Sequence, residues 1–325
     1  MNRLSYHEGE LAVQAHAGVG SDGLPADDMY RAVMPRGVQR FLAAQQLAVL
    51  STTNAEGQVW ASMRSGPPGF LRALNESTVE IAGYSHPDDP LLANLAAHGQ
   101  AGMIVIHLAA RHRVRLNGRA QAKPDGRIML FTEQVYGNCP QYIQARTVCG
   151  ESEVLSTTAR FSRELDGKQR RFIERADTLF IATALPEAGA DASHRGGRPG
   201  FVCIEIKNRL LIPDYPGNRM FNSLGNIEVY PRAGLLFPDF DSGSALQLSG
   251  TARILWDDQR MREFSGAERL LEIDIERVIE LPVATRLRFE FQSYSPNLQP
   301  EPGEATSKFH SCDARSDVAS PADRS

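Results

Sequence analysis

Long apolar runs and a large excess of one charge are both missing from this chain. The longest strongly apolar stretch is Met103–Ile106, far short of the roughly 20 residues that a membrane-spanning helix requires. The formal net charge is only −4 over 325 residues, and no basic run exceeds a few residues, which argues against nucleic acid or a membrane surface as a partner. We therefore expect the chain to act on a small molecule.

Metal-binding patterns and the common nucleotide-binding loops are also absent. The four cysteines include no CxxC pair and have no histidine at metal-ligand spacing, so we expect no metal site. No G-x-G-x-x-G follows a strand pattern, and neither G-x-x-x-x-G-K-S/T nor HExxH occurs, which removes the Rossmann, P-loop and zinc-hydrolase interpretations. The first ten residues are polar and include acidic side chains, unlike a secretory signal, so we expect a cytoplasmic protein.

The sequence does contain a repeat of itself. The pattern S-x-R-x-G-x-P-G-F occurs at residues 62–70 and again at 193–201. Ala101-Gly102 is matched by Ala233-Gly234, and L-x-G-x-A at 116–120 is matched at 248–252. Because these matches keep the same order and nearly the same spacing, they indicate a tandem duplication.

Each copy combines many strand patterns with few helices. Segments such as Gln247–Trp256 alternate apolar and polar residues as strands do, whereas Thr132–Arg146 between the copies has helical spacing interrupted by Gly137 and Pro140. Short strands favour an antiparallel barrel in each copy, and we predict an α+β chain that is mainly β. The predicted organisation is an N-terminal helical extension (1–37), a first barrel (38–148), a linker (149–160), a second barrel (161–295) and a disordered tail (296–325).

The stretch from residue 193 to 234 collects the residue types that bind a phosphate group. It holds Arg195 and Arg219, the hydroxyl and amide donors Ser223 and Asn226, and several glycines. Glycines let backbone N–H groups approach phosphate oxygens, and each arginine offers a fork of donors. We expect this stretch to bind a phosphorylated cofactor.

The succession of S-x-R-x-G-x-P-G-F, D-x-x-G-N-R-x-x-x-S-x-G-N, P-R-A-G-L-L-F and L-x-L-x-G-x-A resembles a known superfamily. It is similar to the pyridoxamine 5'-phosphate oxidase-like, FMN-binding split-barrel proteins in their two-barrel form. The resemblance covers roughly residues 38–294 and is most specific at 214–226 and 231–237. It implies two tandem split β-barrels packed as a pseudo-dimer with flanking helices, and FMN in the groove between them.

The resemblance also assigns five residues to the cofactor. Arg195 matches an arginine on an early strand that contacts the cofactor. Asn218, Arg219, Ser223 and Asn226 match the loop and helix start that hold the phosphate, where the helix N-terminus would add its own N–H groups. No catalytic residue is assigned.

Only the second copy is expected to bind the cofactor. In the first copy, Arg64 and Asn94 alone keep the chemistry of their counterparts. We therefore predict one FMN per chain, with the first barrel forming a wall for the flavin ring. The replacements are His86 for Asn218, Pro87 for Arg219 and Leu91 for Ser223.

The resemblance implies an FMN-dependent oxidoreductase that transfers a hydride or two electrons through flavin N5. The expected partners are an unidentified small-molecule substrate and either NAD(P)H or a separate reductase, and the chain could form a homodimer. Arg286-Leu287-Arg288 does not continue as the closing segment of genuine pyridoxine phosphate oxidases does, so vitamin B6 oxidation is not implied. Two alternatives remain open: a noncatalytic flavin sensor or carrier, and a split barrel that binds haem or a deazaflavin.

Overall fold

The computed structural model describes residues 5–19, 29–152, 158–186, 189–205 and 208–298. The tail predicted from residue 296 onward therefore lies almost entirely outside the described residues. Within the described residues the α-helices are short and the strands dominate. The α-helices are α1 (Glu8–His16), α2 (Arg36–Ala43), α3 (Leu91–Ala97), α4 (Gly167–Arg175) and α5 (Asn222–Val229).

The first copy folds as one antiparallel sheet, called barrel 1 below. Its order is β2-β1-β5-β6-β7-β4-β3, and a bridge from Ser65 to Tyr84 joins the end of β2 to the chain that follows β4. Helix α2 precedes the sheet and α3 fills the connection from β4 to β5. The strands are β1 (Leu47–Thr53), β2 (Val59–Ser65), β3 (Leu71–Asn75), β4 (Thr78–Ile81), β5 (Gln100–His107), β6 (His112–Ala122) and β7 (Ile128–Asn138).

The second copy, barrel 2, repeats this arrangement. Its order β11-β10-β14-β15-β16-β13-β12 is that of barrel 1 strand for strand, with β9 (Arg160–Ser162) added beside β16. Both sheets also carry a register shift at the same place, next to Gly118 and next to Gly250. The predicted pair of tandem split barrels is confirmed. The strands are β10 (Thr178–Leu185), β11 (Gly189–Gly196), β12 (Cys203–Glu205), β13 (Arg209–Asp214), β14 (Arg232–Pro238), β15 (Ala245–Leu255) and β16 (Arg269–Leu281).

The helix expected from the spacing of Thr132–Arg146 is wrong. Strand β7 continues to Asn138 and β8 (Ala145–Glu151) begins soon after it. Pairing with β6 along its whole length satisfies the backbone of β7, and this long-range pairing overrides the local apolar spacing. The segment assigned to a linker from residue 149 likewise begins inside β8.

The two barrels are related by an approximate two-fold axis. Strand β8 follows barrel 1 as β17 (Leu287–Ser293) follows barrel 2, and the two strands pair antiparallel with each other. The ends of the pair are Ala145 opposite Ser293 and Glu151 opposite Leu287. Equivalent segments that contact each other in this self-complementary way are the mark of a two-fold interface.

Apolar side chains fill each barrel and also the space between the barrels. The interface cluster takes residues from both copies, among them Val59 and Trp60 of β2 and Phe180 of β10. Strands β2 and β10 are buried along nearly their whole length, because one face meets its own barrel and the other meets the neighbour. They therefore lack the alternation that marks strands with one solvated face.

Two matched glycines let the barrels approach each other. A Cβ on Gly102 of β5 would lie 2.5 Å from the carbonyl oxygen of Ala190 in the other barrel. A Cβ on Gly234 of β14 would lie 2.6 Å from the carbonyl oxygen of Val59. Both neighbours are backbone atoms. The two sheets can therefore approach this closely only because these positions carry no side chain.

Candidate cofactor site

A cleft that is open to solvent lies between the two barrels. Barrel 1 contributes β6 and the connection from β7 to β8, and barrel 2 contributes β11 and the connection from β13 to α5. Its lining residues are Arg113, Arg115, Asn138, Cys139, Gln141, Tyr142, His194, Arg195, Gly196, Pro213, Asp214, Tyr215, Gly217 and Asn218.

The lining of this cleft carries an excess of positive charge. Three arginines face one carboxylate, Asp214. Arg195 places NH2 3.0 Å from Asp214 Oδ1, and Arg115 is paired with a carboxylate beneath the cleft. Such a surface favours an anionic ligand over a cationic one.

The carboxylate beneath the cleft is Asp191, at the centre of a buried polar network. It accepts hydrogen bonds from Arg115 NH1 at 2.9 Å, Tyr136 Oη at 2.7 Å and Ser223 Oγ at 2.9 Å. Burial alone would raise the pKa of Asp191, but Arg115 and these hydrogen bonds lower it. The ionised Asp191 therefore fixes Arg115 in the cleft wall.

Of the residues predicted to hold the cofactor, Arg195 and Asn218 line the cleft together. Arg219 follows Asn218 with an exposed side chain and a left-handed backbone, φ 56°. The carboxamide oxygen of Asn218 accepts the N–H of Met220 at 3.2 Å, which shapes this turn. The turn thus carries an amide that lines the cleft, Asn218, and at the next residue an exposed arginine, Arg219.

Ser223 and Asn226 lie beneath the cleft, in α5. Ser223 is 4% exposed and bonded to Asp191, while Asn226 donates Nδ2–H to Thr183 Oγ1 at 3.0 Å. In barrel 1, Asn94 makes the same bond to Thr52 Oγ1, also at 3.0 Å. Because both copies keep it, the bond of Asn226 braces a helix against a strand, and contact of Ser223 and Asn226 with a phosphate stays a prediction.

The corresponding region of barrel 1 is filled. Arg64, the counterpart of Arg195, donates to Ala82 O at 3.1 Å, Ser85 Oγ at 3.1 Å and Gly126 O at 2.7 Å, all within its own barrel. Met63 stands where barrel 2 has His194, and it belongs to the apolar cluster between the barrels. Ala245 on β15 holds the register position of Arg113 on β6 and joins the same cluster.

Two tyrosines from different barrels meet at the cleft. The rings of Tyr142 and Tyr215 have centroids 5.2 Å apart, and Tyr142 donates its hydroxyl to Pro216 O at 3.1 Å. Tyr142 has a left-handed backbone, φ 64°, which is uncommon for a bulky side chain. The contact ties the β7–β8 connection to the turn that carries Asn218.

Sequence reasoning missed the contribution of barrel 1 to the site, namely Arg113, Arg115 and the network around Asp191. Asp191 stands between Ala190 and Ala192 in a strand. A lone carboxylate between two small apolar residues is the sequence feature that could have pointed to this buried network. The counterpart of Asp191 in barrel 1 is Trp60, so the duplication did not point to it.

Helix α1 packs against α5 and adds a second buried carboxyl group. Glu10 accepts hydrogen bonds from Tyr30 Oη at 3.1 Å, Asn222 Nδ2 at 2.6 Å and the N–H of His7 at 2.9 Å. Gly9 and Gly225 face each other in this contact, where a Cβ on Gly9 would lie 2.2 Å from the Gly225 carbonyl oxygen. The N-terminal extension is thereby attached to the first turn of α5.

This carboxyl group predicts a pH dependence of stability. Burial raises the pKa of Glu10 to about 7 in the folded protein. Because the folded state then binds the proton more tightly than the unfolded chain, stability falls as pH rises from about 4.5 to about 7, by roughly 3 kcal/mol. Glu10→Gln should remove this loss. The free energy of unfolding of the variant minus that of the parent, measured in urea, should therefore increase between pH 5 and pH 8. An equal difference at both pH values would contradict the assignment.

In the described part of the chain, no group of three or more His, Cys, Asp or Glu side chains is arranged to hold a metal ion. No helix in the described ranges is both long and apolar enough to cross a membrane.

Comparison with known proteins gives one family. The model of the pyridoxamine 5'-phosphate oxidase family matches residues 34–158 and again residues 165–292. No curated protein matches the chain.

Among solved structures, HupZ of Group A Streptococcus is 16% identical, with 32% of this chain and 94% of that chain covered and a TM-score of 0.27. HutZ of Vibrio cholerae, described as a heme storage protein, is 13% identical, with 36% and 95% covered and a TM-score of 0.26. An FAD-binding protein of Mesorhizobium loti is 11% identical, with 38% and 97% covered and a TM-score of 0.26.

Proposed function

We propose that this chain, which belongs to the pyridoxamine 5'-phosphate oxidase family, binds one FMN in the cleft between its barrels and acts as an oxidoreductase. Its substrate is a small molecule, and its electrons come from NAD(P)H or from a separate reductase. The observation that carries the proposal is the contrast between the two copies. Barrel 2 presents Arg195, paired with Asp214, to an open cleft, whereas barrel 1 encloses Arg64 in internal hydrogen bonds.

The phosphate of FMN would be held by Arg195 and Asn218, which line the cleft, and by Arg219, which follows Asn218 in the chain. Arg219 makes no ion pair or hydrogen bond with any residue in the described ranges, and its side chain is exposed. A phosphate needs charged donors of this kind, and each charge-assisted hydrogen bond contributes about 1.5–3 kcal/mol.

The polar groups that line the rest of the cleft fit the flavin ring. Buried atoms of four lining residues have no partner within the described residues: Arg113 Nε, Arg115 Nε, His194 Nε2 and Asn138 Oδ1. Buried donors and acceptors in folded proteins are nearly all paired, with protein, with ordered water or with a bound group. The pyrimidine edge of a flavin carries carbonyl acceptors and an N–H donor, which match such a set.

When bound, FMN supplies hydride or two-electron transfer through N5. The chain itself contributes orientation and charge. Arg115 is held in place by Asp191 and keeps positive charge in the cleft wall, and a positive environment stabilises the negative charge that reduction places on a flavin. Tyr142 and Tyr215 form one side of the cleft.

The absorption spectrum of the freshly purified protein tests the cofactor. We expect the two visible bands of an oxidised flavin, released as FMN when the protein is denatured. A Soret band, a deazaflavin spectrum or a colourless protein that takes up no FMN on titration would contradict the proposal. Steady-state oxidation of NAD(P)H with an added electron acceptor then separates an enzyme from a flavin carrier.

A further inference from the structure

Arg113 is a buried cation without a carboxylate partner among the described residues. Its residue is 6% exposed, and its partners are His194 Nδ1, 3.1 Å from NH1, and Cys139 Sγ, 4.0 Å from NH2. Its Nε has no partner, and no carboxylate pairs with it among the described residues. The other two arginines of the cleft are each paired with an aspartate, Arg115 with Asp191 and Arg195 with Asp214.

The nearer neighbour of Arg113, His194, supplies no negative charge. A guanidinium can only donate, so His194 accepts at Nδ1 and carries its proton on Nε2. Burial and the adjacent Arg113 hold the pKa of His194 well below its usual range, so the imidazole is neutral. The other neighbour, Cys139, donates its S–H to Gln141 Oε1 at 3.2 Å.

The fold does not require this charge. Ala245 occupies the equivalent register position of barrel 2 and packs in an apolar cluster. Burial and the neighbouring Arg115 lower the pKa of Arg113 to about 10, so the side chain stays charged at neutral pH although its surroundings disfavour the charge. A buried ion without an oppositely charged partner is destabilising, and a bound anion would relieve this cost.

We propose that Arg113 is an anion-binding residue for a negatively charged group other than the flavin phosphate. The group enters the cleft from a small molecule bound there, and Arg113 receives it with the neutral His194 beside it. Two sources share this chemistry: a carboxylate or phosphate of the substrate, and the charge that reduction places on the flavin ring. The inference rests on the proposed function for the identity of the neighbouring cofactor, but the anion site itself does not require flavin.

The test compares Arg113→Ala, which copies the residue of barrel 2, with Arg113→Lys and the parent protein. Each FMN-saturated protein is titrated with inorganic phosphate while the flavin absorbance is followed. If the source is a substrate anion, the parent binds phosphate saturably, Arg113→Ala binds it at least about tenfold more weakly, and Arg113→Lys retains most of the affinity. If the source is the reduced ring, phosphate has no effect but Arg113→Ala lowers the midpoint potential of bound FMN.

The same variants give the results that would overturn the inference. Unchanged phosphate affinity together with an unchanged potential would remove the anion site. A loss of FMN affinity in Arg113→Ala as large as the loss of phosphate affinity would assign Arg113 to the cofactor phosphate instead. Strong destabilisation of Arg113→Ala in urea would give the arginine a structural role, whereas we expect no loss of stability.

Failure of the proposed function is distinguishable from failure of this inference. If the parent protein binds no flavin, the Tm of the flavin-free protein is measured with and without inorganic phosphate. The parent should gain Tm and Arg113→Ala should gain clearly less. Equal gains in both proteins would overturn the anion site independently of any cofactor.

Discussion

Replacing Arg195 and Arg219 together by glutamine is expected to lower FMN affinity by about 10²–10⁴-fold. Each arginine is expected to donate charge-assisted hydrogen bonds to the phosphate, and losing two such interactions removes roughly 3–6 kcal/mol of binding free energy. Fluorescence titration of the flavin-free protein with FMN measures the change. Riboflavin, which lacks the phosphate, should lose little affinity in the same variant.

Arg64→Gln is the matched control, because Arg64 is the counterpart of Arg195 in barrel 1. It donates three hydrogen bonds inside its own barrel and does not line the cleft. This substitution should lower stability by about 1–3 kcal/mol and leave FMN affinity unchanged. The phosphate assignment would be wrong if the double variant and the Arg64 control affected FMN affinity equally.

A side chain at the glycines between the barrels is expected to have the largest effect on stability. Gly102→Ala and Gly234→Ala each place a Cβ about 2.5 Å from backbone atoms of the opposite barrel. Backbone in a paired strand moves only with its sheet, so each substitution should cost about 3 kcal/mol of unfolding free energy. Because the cleft is formed by both barrels, FMN affinity should fall as well.

Gly137→Ala separates this effect from the general consequences of replacing a strand glycine. Gly137 lies in β7, and a Cβ there would meet no atom within 4 Å. We expect its stability in urea to remain within about 1 kcal/mol of the parent. If Gly102→Ala were tolerated as well as Gly137→Ala, the barrels would not be held by this close approach.

The architecture could be predicted from sequence because the duplication repeats a local pattern. The match of Arg64 with Arg195, and of Gly102 with Gly234, aligned the two copies before their pairing was visible. The repeat does not show why glycine is needed at positions 102 and 234. Each glycine faces the backbone of the other copy, and a repeat pattern does not show which surfaces of two copies meet.

The site could be predicted only on the side of barrel 2. Arg195 and Asn218 belong to local motifs and do line the cleft. Arg113 and Arg115 lie on β6. The alternation of polar and apolar residues predicts that this segment is a strand of barrel 1, but it does not predict that the strand faces barrel 2. Ser223 was predicted to hold the phosphate at the start of a helix. In the structure its hydroxyl donates a hydrogen bond to Asp191 of β11, a partner that the local motif does not reveal.

The number of FMN molecules bound per chain is the most direct test of the central claim that only the cleft lined by Arg195 accepts a flavin phosphate. Titration of flavin-free protein at a concentration well above Kd gives this stoichiometry from the break in the fluorescence curve. The structure predicts a break at one FMN per chain, unchanged in Arg64→Gln and absent in the double variant of Arg195 and Arg219. A break at two, or one that moves with Arg64, would contradict the account.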